Sequence, residues 1–145
     1  MKAKVTLVEG QTWLGQAGSG HGIVLDASPD IGGQNLGCRP MELMLLGLAG
    51  CTAIDVRLIL QRGREAVTDC VIEAEAERAP SDPKVFTKVH LTFRVTGRTL
   101  SRAKVERAVA LSHEKYCSAT AMFLKTAEIT HTIEVLEAGD ATEAA

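Results

Sequence analysis

Aromatic residues are scarce: one tryptophan, one tyrosine and three phenylalanines make up 3% of 145 residues. The interior must therefore be built from Val, Leu, Ile and Ala. There is no excess of basic charge either. Lysine and arginine total 16 against 18 aspartates and glutamates, a net charge of -2. That balance excludes nucleic acid or an acidic membrane as the main partner, because both demand a basic surplus. The four cysteines, Cys38, Cys51, Cys70 and Cys117, form no C-x-x-C pair, which removes the thioredoxin motif and the usual zinc spacings. The longest uncharged apolar run lies between Glu42 and Asp55 and is 12 residues long, short of the roughly 18 needed to cross a bilayer. The opening MKAKVTLVEG has no apolar signal core. These absences predict a soluble, cytoplasmic chain whose thiols are free or catalytic, not structural.

What is present suits one domain, residues 1–137, followed by a flexible tail over 138–145. A domain of this length folds without disulfide or metal. Residues 2–8 and 11–16 read as paired strands across the Glu9-Gly10 turn, and 23–25 as a third. Residues 27–38, rich in Gly, Pro, Asp and Asn, form a loop, where function often sits. Pro40 suits the first position of a helix that runs to Arg62 and stops at Gly63. Its first half is apolar on every side, with Gly47, Ala49, Gly50 and Ala53 offering close approach to another backbone. A monomer this small rarely surrounds such a helix, so a second chain is the expected cover.

Residues 67–77 and 85–95 alternate and predict a hairpin with one wet face, Val89, Leu91, Phe93 and Val95 pointing inward. Ser101 caps a helix to about Ser112 whose inner stripe is Val105, Ala108, Val109 and Ser112. A short helix near 117–124 and a strand over 129–135 complete an α+β class.

Taken alone, Cys51 reads as a small buried hydrophobe at least as readily as a nucleophile. Cys117 is ambiguous in the same way. Cys38 reads as a loop residue and Cys70 as core. His113 precedes Cys117 by four residues, but two ligands do not make a zinc site. The Gly18-Ser19-Gly20-His21-Gly22 loop has Ile23 where a phosphate-binding glycine belongs, so nucleotide binding is not expected.

The two cysteines with their flanks carry more. Arg39-Pro40-Met41-Glu42-Leu43 through Gly50-Cys51-Thr52-Ala53-Ile54-Asp55-Val56 resembles the central helix of the OsmC/Ohr family of osmotically induced and organic-hydroperoxide-resistance proteins. Glu114-Lys115-Tyr116-Cys117-Ser118-Ala119 is similar to its second cysteine motif. The Gly18-Ser19-Gly20-His21 loop, Pro83-Lys84-Val85-Phe86 and Thr126-Ala127-Glu128-Ile129 look like its YhfA-like branch. The resemblance spans residues 7–137.

This resemblance implies an OsmC-like fold, antiparallel sheets packed around long central helices in an intertwined homodimer. It also implies a thiol peroxidase. Cys51 attacks an organic hydroperoxide and becomes a sulfenic acid, Cys117 condenses with it to a disulfide, and an external thiol or lipoyl-type dithiol restores both. A thiol of ordinary pKa, about 8.5, is only about 3% ionised at pH 7, so ionisation alone gains at most roughly 30-fold. The rest must come from positioning and from a cation, and Arg39 is the sole arginine before residue 57. In the hydroperoxide-resistance branch a glutamate directly follows the proline and holds the arginine. Here Met41 takes that place and Glu42 follows, which leaves two readings: Arg39 with Glu42 is a substitute pair, or Glu42 merely favours the helix start, Arg39 is solvated and the site is not tuned for peroxide. Leu, Met, Ala and Phe123 are expected around the substrate. The alternatives are a non-catalytic small-molecule-binding or redox-sensing dimer, and a purely structural dimer with inert cysteines. No metal, no cofactor beyond the external reductant, no nucleic acid and no membrane are expected.

Overall fold

The computed structural model describes residues 1–139, in two compact units, Met1–Met44 and the chain from Leu45 on. The first unit holds an antiparallel sheet of β1 (Ala3–Glu9), β2 (Thr12–Ala17) and β3 (Gly22–Leu25), in that order. The loop after β3 is bound to a single carboxylate. Asp26, 2% exposed, accepts hydrogen bonds from the N–H groups of Ala27 (2.8 Å), Gln34 (3.0 Å) and Leu36 (3.0 Å). The chain passes so closely that a Cβ on Gly33 would overlap the Ala27 carbonyl, and one on Gly37 the Val24 carbonyl. Glycine is the residue that allows both approaches.

Helix α1 (Pro40–Arg62) starts as expected, with Pro40 in its first turn. It buries Leu48, Thr52, Val56 and Leu60, a stripe at spacing four. Leu46 (58% exposed), Ile54 (63%) and Leu58 (44%) lie on open apolar surface. At 23 residues α1 is long and apolar enough, by length and composition, to cross a bilayer. The 12-residue run counts uncharged residues alone: Asp55 and Arg57 interrupt that run without ending the helix.

The second sheet is ordered β4 (Ala66–Arg78), β5 (Phe86–Arg98), β6 (Glu128–Glu137). β4 and β5 form the expected antiparallel hairpin, with Val89, Leu91, Phe93 and Val95 buried. β6 departs from expectation by running parallel to β5, so this sheet is mixed. Parallel pairing needs a long crossover, and residues 99–127 supply it with α2 (Arg102–Leu111), a π-turn (Ser112–Tyr116) and α3 (Ser118–Phe123). On the wet face Arg94 ties the three strands together, reaching Glu134 at 2.7 Å and Glu73 at 3.2 Å. Val105, Ala108, Val109 and Ser112 are all buried, as the stripe predicts. All three phenylalanines join the aliphatic core, Phe86 stacked on Phe123 with ring centroids 5.4 Å apart. Scarcity of aromatics thus did not keep them out of the interior. Ala138 still donates its N–H to the Gly97 carbonyl at 2.7 Å. The rest of the tail expected over 138–145, beyond Gly139, lies outside the described residues.

Candidate functional site

In α1, Cys51 and Asp55 stand four residues apart, so both side chains leave the same face one turn from each other. The second half of the site comes from the crossover. Where α2 ends, the backbone widens into the π-turn, a feature often found at functional sites. Cys117 follows in extended conformation and caps α3: its N–H donates to the Ser112 carbonyl at 2.9 Å, and its Sγ accepts from the Thr120 N–H at 3.3 Å. The cap and the turn together fix the direction of the sulfur.

The two sulfurs and a carboxylate oxygen of Asp55 all lie within 4.8 Å of one another. Both cysteines are free; Cys117 is 3% exposed and Cys51 is half-buried. Ser112, wholly buried, donates its hydroxyl to Asp55 Oδ2 at 3.0 Å and sits 2.9 Å from the Thr52 hydroxyl. A hydroxyl has one proton to give, so with Ser112 committed to Asp55 the Thr52 hydroxyl is the donor to Ser112. Among the described residues no buried side-chain polar atom lacks a partner. Burial pushes the Cys117 thiol above its usual range, the neighbouring Cys51 adds to that, and the Thr120 hydrogen bonds pull partly the other way. Cys117 is held as a neutral thiol at physiological pH.

The structure thus brings Cys51 to Cys117, and separately brings Arg39 to Glu42. Glu42 Oε2 accepts the Arg39 backbone N–H at 2.9 Å, and Oε1 accepts from Nη1 at 3.2 Å. With the Leu43 N–H on the Arg39 carbonyl, Arg39 is the N-cap of α1 and Glu42 the reciprocal carboxylate three residues on. Cys38 forms a bridge with Leu25. Cys70 is half-buried, its thiol raised by burial and then by Asp69, so it is not placed as a reactive thiolate. Sequence reasoning missed Asp55, Thr52 and Ser112. The signal available for Asp55 was its spacing of four from Cys51; for Ser112 there was only its place on the buried stripe of α2.

A family model described as OsmC-like protein matches residues 32–134. The chain belongs to the OsmC-like family. It is 46% identical over 138 residues to Protein YhfA of Escherichia coli strain K12, covering 95% of this chain and all of that one. A crystal structure of a hypothetical protein from Aquifex aeolicus VF5 is 28% identical, with a TM-score of 0.82 over 94% of this chain and 96% of that one. The organic hydroperoxide resistance protein OsmC of Legionella pneumophila shares the fold, at 18% identity and a TM-score of 0.68 over 92% and 96% of the two chains. The OsmC-like, α+β fold inferred from the cysteine motifs is therefore the fold of this chain.

Proposed function

We propose that this OsmC-like protein is a thiol peroxidase acting on organic hydroperoxides. The observation that carries the reading is the approach of Cys51 Sγ and Cys117 Sγ within 4.8 Å, from positions far apart in the sequence. The Cys51 thiolate attacks the distal peroxide oxygen and the O–O bond breaks. The alkoxide takes up a proton and leaves as alcohol, and Cys51 becomes a sulfenic acid, oxidised by two electrons. The Cys117 sulfur then attacks Cys51, a disulfide forms and water departs. A small thiol or dithiol of the lipoyl type reduces the disulfide by exchange. Burial disfavours the Cys117 thiolate, and the Thr120 N–H aims its sulfur until Cys51 has reacted. Arg39, held by Glu42, is the cation proposed to orient the peroxide.

The working form is proposed to be a cytoplasmic homodimer. Leu46, Ile54 and Leu58 are exposed on α1, and a Cβ added to Gly47 or Gly50 would meet nothing within 4 Å. A second helix can seat there, and burying each large side chain is worth about 1.5–3 kcal/mol.

Stopped-flow consumption of cumene hydroperoxide with a dithiol tests the chemistry. Turnover is expected in the parent chain and none in Cys51→Ser; equal rates in the two would reject the reading. A second reading, a redox-sensing or ligand-binding dimer, is favoured by the Asp55 carboxylate beside both sulfurs, since the oxygen departing from a peroxide is stabilised by a cation or a hydrogen-bond donor and not by a carboxylate.

A further inference from the structure

We infer that Cys51, Asp55 and Cys117 form a binding site for a zinc(II) ion, one per chain, which is filled while both cysteines are reduced. The redox half of this inference rests on the cysteine pair proposed above; the metal half does not.

Two sulfurs and one carboxylate oxygen converge within 4.8 Å of one another. Around a tetrahedral zinc ion, with Zn–S near 2.3 Å and Zn–O near 2.0–2.2 Å, such donors stand about 3.5–3.8 Å apart. Closing the triangle by about 1 Å therefore builds three corners of the tetrahedron. The fourth corner is left to water or an incoming ligand, the usual plan of an open zinc site. Each of the three donors is an anion in its ligating form, and only a cation neutralises the cluster.

The donor types select the ion. Two thiolates reject magnesium and calcium, which take all-oxygen shells, and suit a borderline-soft d10 ion. The surrounding hydrogen bonds are those of a prepared ligand. Ser112 fixes one oxygen of Asp55, and Thr52 fixes Ser112. Zinc-binding carboxylates are commonly oriented by such a partner, whose loss costs roughly 10–100-fold in affinity. No cysteine pair in the sequence has zinc spacing; positions 51, 55 and 117 become neighbours only through α1 and the π-turn.

Oxidation ends the site. When Cys117 condenses with the Cys51 sulfenic acid, both thiolate ligands are consumed in one disulfide and the ion must leave. Zinc would thus occupy the resting thiols and be released by the peroxide that they reduce.

The test is a competition titration of the reduced, full-length protein with zinc against a chromophoric chelator, followed by X-ray absorption at the zinc edge. One ion per chain with two sulfurs and oxygen in its shell is expected. Affinity should fall about 10–100-fold in Ser112→Ala and be lost in Cys51→Ser, each checked for folding by circular dichroism. Adding peroxide should release the ion as the disulfide forms. If the parent chain binds zinc no more tightly than Cys51→Ser, or keeps its zinc as the disulfide forms, the inference is overturned. Peroxide turnover without zinc binding removes the metal site and leaves the peroxidase. Zinc binding without turnover does the reverse.

Discussion

The Ser112 hydroxyl lies 3.0 Å from Asp55 Oδ2, and the two residues are 57 positions apart. Through this one bond the end of α2 sets the carboxylate that stands beside Cys51 and Cys117. Ser112 also receives the Cys117 N–H on its carbonyl, so a single residue orients two members of the cluster.

Replacing Ser112 with alanine should therefore be felt twice. The buried Thr52 hydroxyl and the Asp55 carboxylate each lose a partner, a cost of about 1–3 kcal/mol. The measurement is the urea midpoint, which should drop with unchanged slope. An unchanged midpoint would mean that the network adds nothing to stability.

Removing the second sulfur should split the proposed reaction. In Cys117→Ser, one equivalent of hydroperoxide is expected to leave Cys51 as a sulfenic acid that dimedone traps, seen as a mass adduct on the Cys51 peptide. The parent chain should instead yield a Cys51–Cys117 disulfide. Adduct on Cys117 in the Cys51→Ser chain would exchange the two roles.

A charge placed on the open face of α1 should separate the proposed dimer. Ile54→Glu removes about 1.5–3 kcal/mol of apolar burial per chain and adds a like-charge contact. Sedimentation velocity should show a dimer for the parent and a monomer for the variant. A parent that sediments as a monomer would end the dimer proposal.

The loop 27–38 should loosen in acid. Hydrogen bonds to Asp26, that from Leu36 foremost, hold its carboxyl below the ordinary value of 3.8. Because the folded-state pKa is the lower one, this contribution is complete above about pH 3.8 and fades as the pH falls through the folded value. Asp26→Asn, whose amide oxygen replaces only one acceptor, should speed amide exchange at Gln34 and Leu36 at neutral pH. Exchange at parent rates would show that the carboxylate does not hold the loop.

Much of this molecule was legible from residue order. Alternation gave the inner faces of β4 and β5, and the start of α1 followed from Pro40. The spacing of Val105, Ala108, Val109 and Ser112 marked the buried side of α2. The neighbour of β6 was not legible, because alternation says which side chains point inward and not which strand lies alongside. The π-turn was equally hidden: Ser-His-Glu-Lys-Tyr has ordinary helical composition, and only the hydrogen-bond register reveals the wider turn. At the site, the pairing of Cys51 with Cys117 came from likeness to the OsmC/Ohr motifs, since nothing in their separation fixes a contact. Asp55 looked like the mere end of an apolar run. Its chemistry emerged only when Ser112 was found bonded to it.

The same-direction alignment of β5 and β6 has a mechanical outcome for the second sulfur. The segment bearing Cys117 is sewn at both ends into neighbouring ribbons of one sheet, so it is a strap and not a dangling arm. If the proposed disulfide forms and breaks at Cys117, it tugs the strap without releasing either stitch, and the thiol is expected to return to the same spot after every cycle.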